Sequence, residues 1–220
     1  MEQGTIRTIK EELKTMKDLT TLPTESHLAQ RERWPQSGRH ILAHHDAQSV
    51  IVYQAYRPAI GEYAVRHGRL DGPDFSLSRM SWIKPNFLWM MYRSGWGTKE
   101  GQEVTLGLRL RRAFFEQVVR EAVPSTFDDR RYPSRDVWQE AVGRSDVRLQ
   151  WDPDHAPAGN KLERRAIQLG LRGRTLAAFA NEELLEVIDM RAFVEAQRPK
   201  AQNDNPELQL PVEHELDIET

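Results

Sequence analysis

The sequence of 220 residues contains no cysteine, and this absence excludes several kinds of site. Without cysteine the chain has no disulfide, no zinc–thiolate centre and no cysteine nucleophile. The sequence also lacks any apolar run near the roughly 20 residues that a membrane-spanning helix requires. The residues after Met1 do not show the pattern of a signal peptide. We therefore expect a cytoplasmic protein that is not inserted in a membrane.

Lysine is scarce, since it supplies only 7 of the 31 basic residues and arginine supplies the other 24. Arginine binds phosphates and carboxylates through two parallel hydrogen bonds, but a GC-rich genome produces the same bias, and both explanations stay open. The formal net charge of −2 indicates no general attraction to nucleic acid. Neither a glycine-rich phosphate loop nor a nucleophile elbow is present. The histidines and carboxylates lack a recognised ligand spacing, so we predict no metal site.

Residues 75–97 hold an unusual density of aromatic residues together with three cations. Alternation over residues 78–84 predicts a strand, and Pro85 followed by Gly95 predicts a helix over residues 85–94. This segment carries three of the six tryptophans together with one tyrosine and three cations: Trp82, Trp89, Trp96, Tyr92, Arg79, Lys84 and Arg93. Aromatic rings beside fixed cations suit a flat anionic ligand such as a nucleotide. A core of aromatic residues with solvated cations at its rim explains the same composition.

The remaining elements are irregularly mixed. Strands are predicted at residues 38–44, 50–56, 103–110, 146–151 and 165–171, the first two as a hairpin. Helices are predicted over residues 58–67, 111–122, 134–142 and 174–181. This order favours an α+β fold, a single domain with a central, mostly antiparallel sheet and flanking helices. Its expected core includes Phe87, Met91, Phe114 and Val118.

We expect three parts along the chain. Residues 1–36 form a polar N-terminal arm, residues 37–196 form the domain, and residues 197–220 form a disordered C-terminal tail. The tail is rich in proline, asparagine and glutamate, and it has few large apolar residues to offset the entropy of ordering.

Three segments together resemble one family. They are Val-Tyr-Gln-Ala-Tyr at residues 52–56, the segment from Arg79 to Gly97, and Arg-Ala-Ile-Gln-Leu-Gly-Leu at residues 165–171. The family is catalogued as domain of unknown function 4291, and the resemblance covers about residues 39–192. It implies no established activity.

The order of elements is also similar to that of the ADP-ribosyltransferase superfamily, and nearest to its DNA-modifying toxin branch. That resemblance implies NAD as cofactor and transfer of ADP-ribose to an acceptor, with nucleic acid as one candidate. The first core strand of the superfamily presents a histidine or an arginine, and Gln54 stands at the matching place here. The last core strand supplies a glutamate, and the matching place is near Gln168. Both are departures from the pattern, although some branches work without that glutamate.

The resulting hypothesis places NAD between the strand at residues 50–56 and the strand–helix unit at residues 78–94. Its catalytic residues are Gln54, Tyr56 and Gln168. Its cofactor-binding residues are Arg57, Arg79, Trp82, Lys84, Trp89, Tyr92 and Arg93. The alternative is a non-catalytic nucleotide- or RNA-binding module that stacks bases on the same aromatics. A third possibility is a partner-binding domain with tryptophan and arginine as interface anchors. The sequence makes no prediction of oligomeric state.

Overall fold

The computed structural model describes residues 20–202 and 204–218. Seven α-helices and twelve strands occur within those residues. In chain order they are β1 (Thr24–Ser26), α1 (His27–Arg33), β2 (Gly38–Arg39), β3 (Leu42–Ala43), β4 (Ser49–Tyr56), α2 (Pro58–His67), β5 (Ser81–Ile83), α3 (Phe87–Ser94), β6 (Val104–Arg111), α4 (Arg112–Glu121), β7 (Val123–Pro124), α5 (Arg135–Arg144), β8 (Val147–His155), β9 (Lys161–Leu171), α6 (Gly173–Ala180), β10 (Leu184–Asp189), α7 (Arg191–Gln197), β11 (Gln209–Pro211) and β12 (His214–Glu215). The protein is a single α+β domain, as the sequence predicted.

Two sheets form the centre of the domain. The first is antiparallel with the strand order β10-β6-β4, and the second has the order β2-β9-β8-β7, with β5 pairing antiparallel to β9. A short bridge joins them, because the amide of Tyr53 on β4 donates to the carbonyl of Lys84 at 2.6 Å and the reverse bond is 3.2 Å. Strand β5 thus lies between β4 and β9.

Two apolar clusters cover the two faces of β4. Val52 and Leu106 lie in one cluster with Leu169 of β9. Tyr53 belongs to the other cluster, with Phe87 and side chains of α7. Successive residues of a strand point to opposite faces, so even-numbered and odd-numbered residues of β4 face different surroundings.

Helix α3 ends at Ser94 as predicted but begins at Phe87, two residues after the predicted start at Pro85. The Asn86 side chain accepts a hydrogen bond from the amide of Trp89 at 2.7 Å, which is an N-terminal cap. Gly95 ends the helix in the left-handed conformation, with φ of 58°. Phe87 and Met91 are fully buried, as predicted.

The core of α4 differs from the prediction by one residue. Phe115 is fully buried and Phe114 is only partly buried, while Val118 is buried as expected. Neighbouring phenylalanines point about 100° apart on a helix, so a local pattern does not decide which one enters the core.

The prediction of a disordered C-terminal tail over residues 197–220 is wrong for the described residues of that segment. Strand β11 pairs with β1 and β12 pairs with β3, both antiparallel. Leu208, Leu210 and Leu216 are each at most 2% exposed. These few apolar residues are enough because they join a core built by distant parts of the chain. The domain therefore extends through this segment.

The predicted N-terminal arm also contributes to the domain. Within residues 20–36, β1 and α1 are formed and Trp34 is only 4% exposed. Residues 1–19 of the predicted arm lie outside the described residues.

The predicted hairpin is replaced by longer-range pairing. Strand β4 pairs along its whole length with β6, and only the bridge between His45 and Val50 remains of the expected hairpin. In the described part of the chain, the helices are too short or too polar to cross a membrane.

Candidate functional site

A cavity of about 480 Å³ lies where β4 ends and the segment before β5 folds over it. Its lining includes Gln54, Tyr56, Arg57, Phe75, Arg79 and Ser81. We call it the β4–β5 cleft. It contains two of the three predicted catalytic residues and two of the predicted cofactor-binding residues.

The polar groups at the base of the cleft come from β4 and β5. Gln54 donates from Nε2 to the hydroxyl of Ser81 at 2.8 Å. The other amide atom, Gln54 Oε1, is buried and has no hydrogen-bond partner among the described residues. Buried carbonyl oxygens are normally paired, so an unpaired one beside a cavity is a place for a ligand donor.

Tyr56 lies beneath Phe75, with their rings edge to face and the centroids 6.1 Å apart. Burial raises the pKa of the Tyr56 hydroxyl well above its usual value, and an interaction with the Ser81 side chain opposes the shift. The hydroxyl is therefore neutral at physiological pH and keeps its proton.

The local sequence explains why Arg57 reaches the mouth of the cleft. Pro58 starts α2 and forces the preceding residue to be extended, with φ of −62° and ψ of 155°. The guanidinium then pairs with Asp74 at 2.6 Å. This ion pair joins the end of β4 to the loop that covers the cleft.

Arg79 is the cation of the cleft that remains available. Its side chain is exposed, and no carboxylate lies within ion-pair distance of it in the described chain. With Arg57 neutralised by Asp74, Arg79 gives the cleft its positive charge.

Lys84 lies outside the cleft. Its ammonium is nearly buried, and Nζ donates to the carbonyl of Trp82 at 3.1 Å. Burial lowers the pKa of Lys84 to about 8, with repulsion from Arg93 acting in the same direction and Asp152 opposing. Trp82 lies on the same face of the sheet as Lys84 and packs against Gly170 of β9.

Gln168 is also separate from Gln54 and Tyr56. Its neighbours Ile167 and Leu169 share the apolar cluster with Tyr56, so Gln168 points to the opposite face of the sheet. There its Nε2 donates to Asp152 Oδ2 at 2.7 Å. The structure thus does not bring the three predicted catalytic residues together.

The aromatic residues of α3 pack against β8. The Tyr92 ring stacks on His155 with centroids 3.5 Å apart, and Trp89 stacks on the same imidazole at 5.3 Å. The Arg93 guanidinium lies 6.0 Å from the Trp89 ring centroid. Burial lowers the pKa of His155, which is only 2% exposed, so this imidazole is neutral. Trp89, Tyr92 and Arg93 therefore lie outside the β4–β5 cleft, and the two rings hold α3 against β8.

A carboxyl from the C-terminal segment supports the start of α3. Glu213 accepts hydrogen bonds from the Phe87 amide at 2.7 Å and from Asn86 Nδ2 at 3.0 Å. Its own amide donates to Gln30 Oε1 at 2.8 Å. Burial raises the pKa of Glu213 well above its ordinary range, and the nearby Asp154 acts in the same direction.

Sequence reasoning missed several of these residues. Phe75 and Ser81 lie within the segment singled out above, but neither carried a signal of its own. Asp152 and His155 lie beyond the strand predicted at residues 146–151, whereas β8 includes both. Glu213 had no local signal, because its partners are 126 and 127 residues away in sequence. Among the described residues, no group of histidines and carboxylates is placed to hold a metal ion.

Comparison with known proteins places the chain in a family without an assigned activity. The family model described as Domain of unknown function (DUF4291) matches residues 40–216, which is most of the chain. The match includes the cleft, α3 and the C-terminal segment with Glu213. No curated protein matches the sequence.

Proposed function

We propose that this chain, which belongs to the DUF4291 family, binds NAD in the β4–β5 cleft and transfers ADP-ribose to an acceptor. The observation that carries the proposal is the meeting of two unsatisfied groups at one cavity. They are the buried carbonyl oxygen of Gln54 and the guanidinium of Arg79, neither of which has a partner among the described residues. A ligand with hydroxyls and phosphates would satisfy both.

The cleft fits such a ligand in size and in chemistry. Its volume of about 480 Å³ lies within the range of roughly 300–1,000 Å³ that is typical of small-molecule sites. Apolar surface comes from Ile60 and Phe75, and polar groups come from Gln54 and Ser81. Part of a dinucleotide would be enclosed there, and the remainder would extend through the mouth.

Each residue of the cleft has a distinct role in the proposal. Arg79 binds the pyrophosphate, since guanidinium pairs with phosphate through two hydrogen bonds. Gln54 accepts a hydrogen bond from a ribose hydroxyl and is held in place by Ser81. Phe75 offers its ring to the nicotinamide or to the adenine, and the neutral Tyr56 hydroxyl serves as a donor.

The reaction substitutes one bond at the ribose carbon of NAD. The carbon–nitrogen bond to nicotinamide breaks, nicotinamide leaves with the bonding electrons, and an acceptor oxygen or nitrogen bonds to the carbon and releases its proton to water. An amide cannot take that proton, so Gln54 acts by position and dipole. Gln168 has no part in this mechanism, because it faces away from the cleft.

Calorimetric titration with NAD and with ADP-ribose tests the binding. Arg79→Ala should weaken binding by about 1.5–3 kcal/mol, the scale of a hydrogen bond to a charged group. Gln54→Leu should weaken the binding of both NAD and ADP-ribose, because it removes the acceptor of the ribose hydroxyl, and should slow the release of nicotinamide further. The matched control is Arg174→Ala, because Arg174 is exposed, lines no part of the cleft and forms no ion pair with a described carboxylate.

The outcomes separate the two candidate functions. Absence of NAD binding, or equal loss in the Arg174→Ala control, would contradict the proposal. NAD binding without nicotinamide release would support the alternative, a nucleotide-binding module without catalysis.

A further inference from the structure

A second and larger cavity lies on another part of the domain. Its volume is about 850 Å³, and it opens between the connector at residues 124–131 and strand β8. Four arginines and two aromatic residues contribute to its lining: Arg39, Arg130, Arg131, Arg135, Phe127 and Trp151. We call it the arginine cavity. It shares no lining residue with the β4–β5 cleft.

The arginines of this cavity lack the carboxylates that arginines elsewhere in the domain have. Arg57, Arg109 and Arg164 each pair with an aspartate or a glutamate within 2.8 Å. None of the four cavity arginines forms an ion pair within residues 20–202 and 204–218, and all four are exposed. Exposed guanidinium groups held close together repel one another unless an anion lies between them.

Two aspartates also line the cavity and reduce its charge without cancelling it. Asp128 is engaged with its own loop, where Oδ1 accepts from the amide of Arg130 at 3.0 Å. Asp129 is exposed. Four cations therefore face two anions, and the cavity has an excess of positive charge.

The wall formed by the connector is held by hydrogen bonds. The amide of Ser125 donates to Leu149 O of β8 at 2.8 Å, and Trp138 Nε1 donates to Pro124 O at 2.9 Å. Ser134 caps helix α5, which fixes Arg135 at its first position. Little ordering of this backbone is then required when a ligand binds, and this reduces the entropic cost of binding.

Aromatic surface lies among the cations. The Arg135 guanidinium lies 5.0 Å from the centroid of the Phe127 ring, and the rings of Phe127 and Trp138 lie edge to face with centroids 6.2 Å apart. Trp151 is half-buried at the wall of the cavity. Rings beside guanidinium groups are how proteins hold unstacked bases next to phosphates.

We propose that the arginine cavity binds single-stranded nucleic acid, with phosphates on the arginines and a base against Phe127 or Trp151. A single strand fits better than a duplex, because only unstacked bases can place a face on an aromatic side chain. The inference does not depend on the β4–β5 cleft being catalytic. If the cleft does transfer ADP-ribose, this strand becomes a candidate acceptor.

Fluorescence anisotropy with a short labelled single-stranded oligonucleotide, as RNA and as DNA, tests the proposal over a range of salt concentrations. The affinity should fall as salt rises. The double variant Arg130→Ala/Arg131→Ala should weaken binding on the order of tenfold at low salt and reduce the salt slope by about 1.4, because two phosphates of a single strand are no longer neutralised by a guanidinium. Arg39→Gln tests the opposite wall and should reduce the slope by about 0.7.

Two controls make the result specific. Arg66→Ala removes an exposed arginine that has no ion pair with a described carboxylate and lines neither cavity, so it should leave the affinity unchanged. Arg174→Ala should also leave it unchanged, because Arg174 is exposed and lines neither cavity. Each variant is first compared with the wild type by thermal melting, and only variants with an unchanged midpoint are scored.

Three outcomes would overturn the proposal. One is the absence of oligonucleotide binding at low salt. Another is an equal loss of affinity in Arg66→Ala and in the double variant. The third is tighter binding of a duplex of the same length, since the cavity would then be an electrostatic patch without a role for its aromatic rings.

Discussion

Glu213 joins the C-terminal segment to the first turn of α3, and we expect Glu213→Ala to destabilise the whole domain. The side chain is 1% exposed, and its two oxygens accept from the amide of Phe87 and from Asn86. Asn86 is itself the cap of α3. The substitution therefore removes an acceptor at the point where the helix, the cap and the tail meet.

The magnitude follows from the burial of the two donors. Phe87 is 0% and Asn86 2% exposed, so neither donor gains water when the carboxyl is removed. A buried donor without a partner costs about 1–3 kcal/mol. Some of this is regained, because the variant no longer buries an ionisable group. We expect a net loss of about 2–4 kcal/mol in the free energy of unfolding, or roughly 5–15 °C in the melting midpoint for a chain of this size.

Urea denaturation followed by tryptophan fluorescence measures this loss. Glu207→Ala is the matched control, since Glu207 lies in the same segment but its side chain is 73% exposed. Its only ion pair among the described residues is a long one, with 3.9 Å between Glu207 Oε2 and Lys200 Nζ. The control should change stability by less than about 0.5 kcal/mol. A Glu213→Ala variant as stable as the control would refute the argument that this contact anchors the tail.

The same residue gives a dependence on pH. Burial raises the pKa of Glu213 in the folded state above its ordinary value of 4.5, so the folded state holds its proton more tightly than the unfolded state. The stability from this neutral carboxyl is complete below about pH 4.5 and is lost as the pH rises towards the folded pKa. Glu213→Gln keeps an acceptor for Phe87 and cannot ionise. It should cost less than Glu213→Ala, and its stability should fall less between pH 5 and pH 8.

Two further substitutions test the packing. Phe87→Ala should cost about 3–5 kcal/mol in the free energy of unfolding, because Phe87 is fully buried between Tyr53, Trp96 and Phe193. Phe114→Ala should cost clearly less. Equal costs in a denaturant titration would mean that the core is assigned to the wrong residue. Asp154→Ala should cost about 3–5 kcal/mol, because it leaves the Arg164 guanidinium buried without its partner at 2.6 Å. Glu140→Ala breaks the exposed pair with Arg144 and should cost less than about 1 kcal/mol. Equal melting midpoints for Asp154→Ala and Glu140→Ala would contradict this reasoning.

The cleft was only partly predictable from sequence. Gln54, Tyr56, Arg57 and Arg79 were all predicted, and the structure places them at one cavity. Trp82 and Lys84 lie on the other face of β5, and Gln168 lies on the corresponding face of β9. A strand alternates with a period of two, so moving one position along it changes the face. Sequence similarity to a motif does not determine which of two neighbouring residues faces a cavity.

The sequence by itself determined those features that depend on residues close to one another in the chain, namely the helix and strand boundaries and the fold class. The end of α3 follows from Gly95, its start was predicted within two residues from Pro85, and β4 follows from its apolar pattern and from Pro58. These signals act through hydrogen bonds and backbone angles within a few residues, and they were enough to identify the α+β class.

Tertiary structure alone decided the pairing of distant segments. Strand β4 pairs with β6, which lies about 50 residues further along, and β1 pairs with β11 near the end of the chain. The C-terminal segment is too polar to fold alone. It becomes ordered because its few leucines and the Glu213 carboxyl pack against residues from distant parts of the chain. Burial and hydrogen bonding of that kind depend on residues that meet only after folding, and local composition therefore cannot report them.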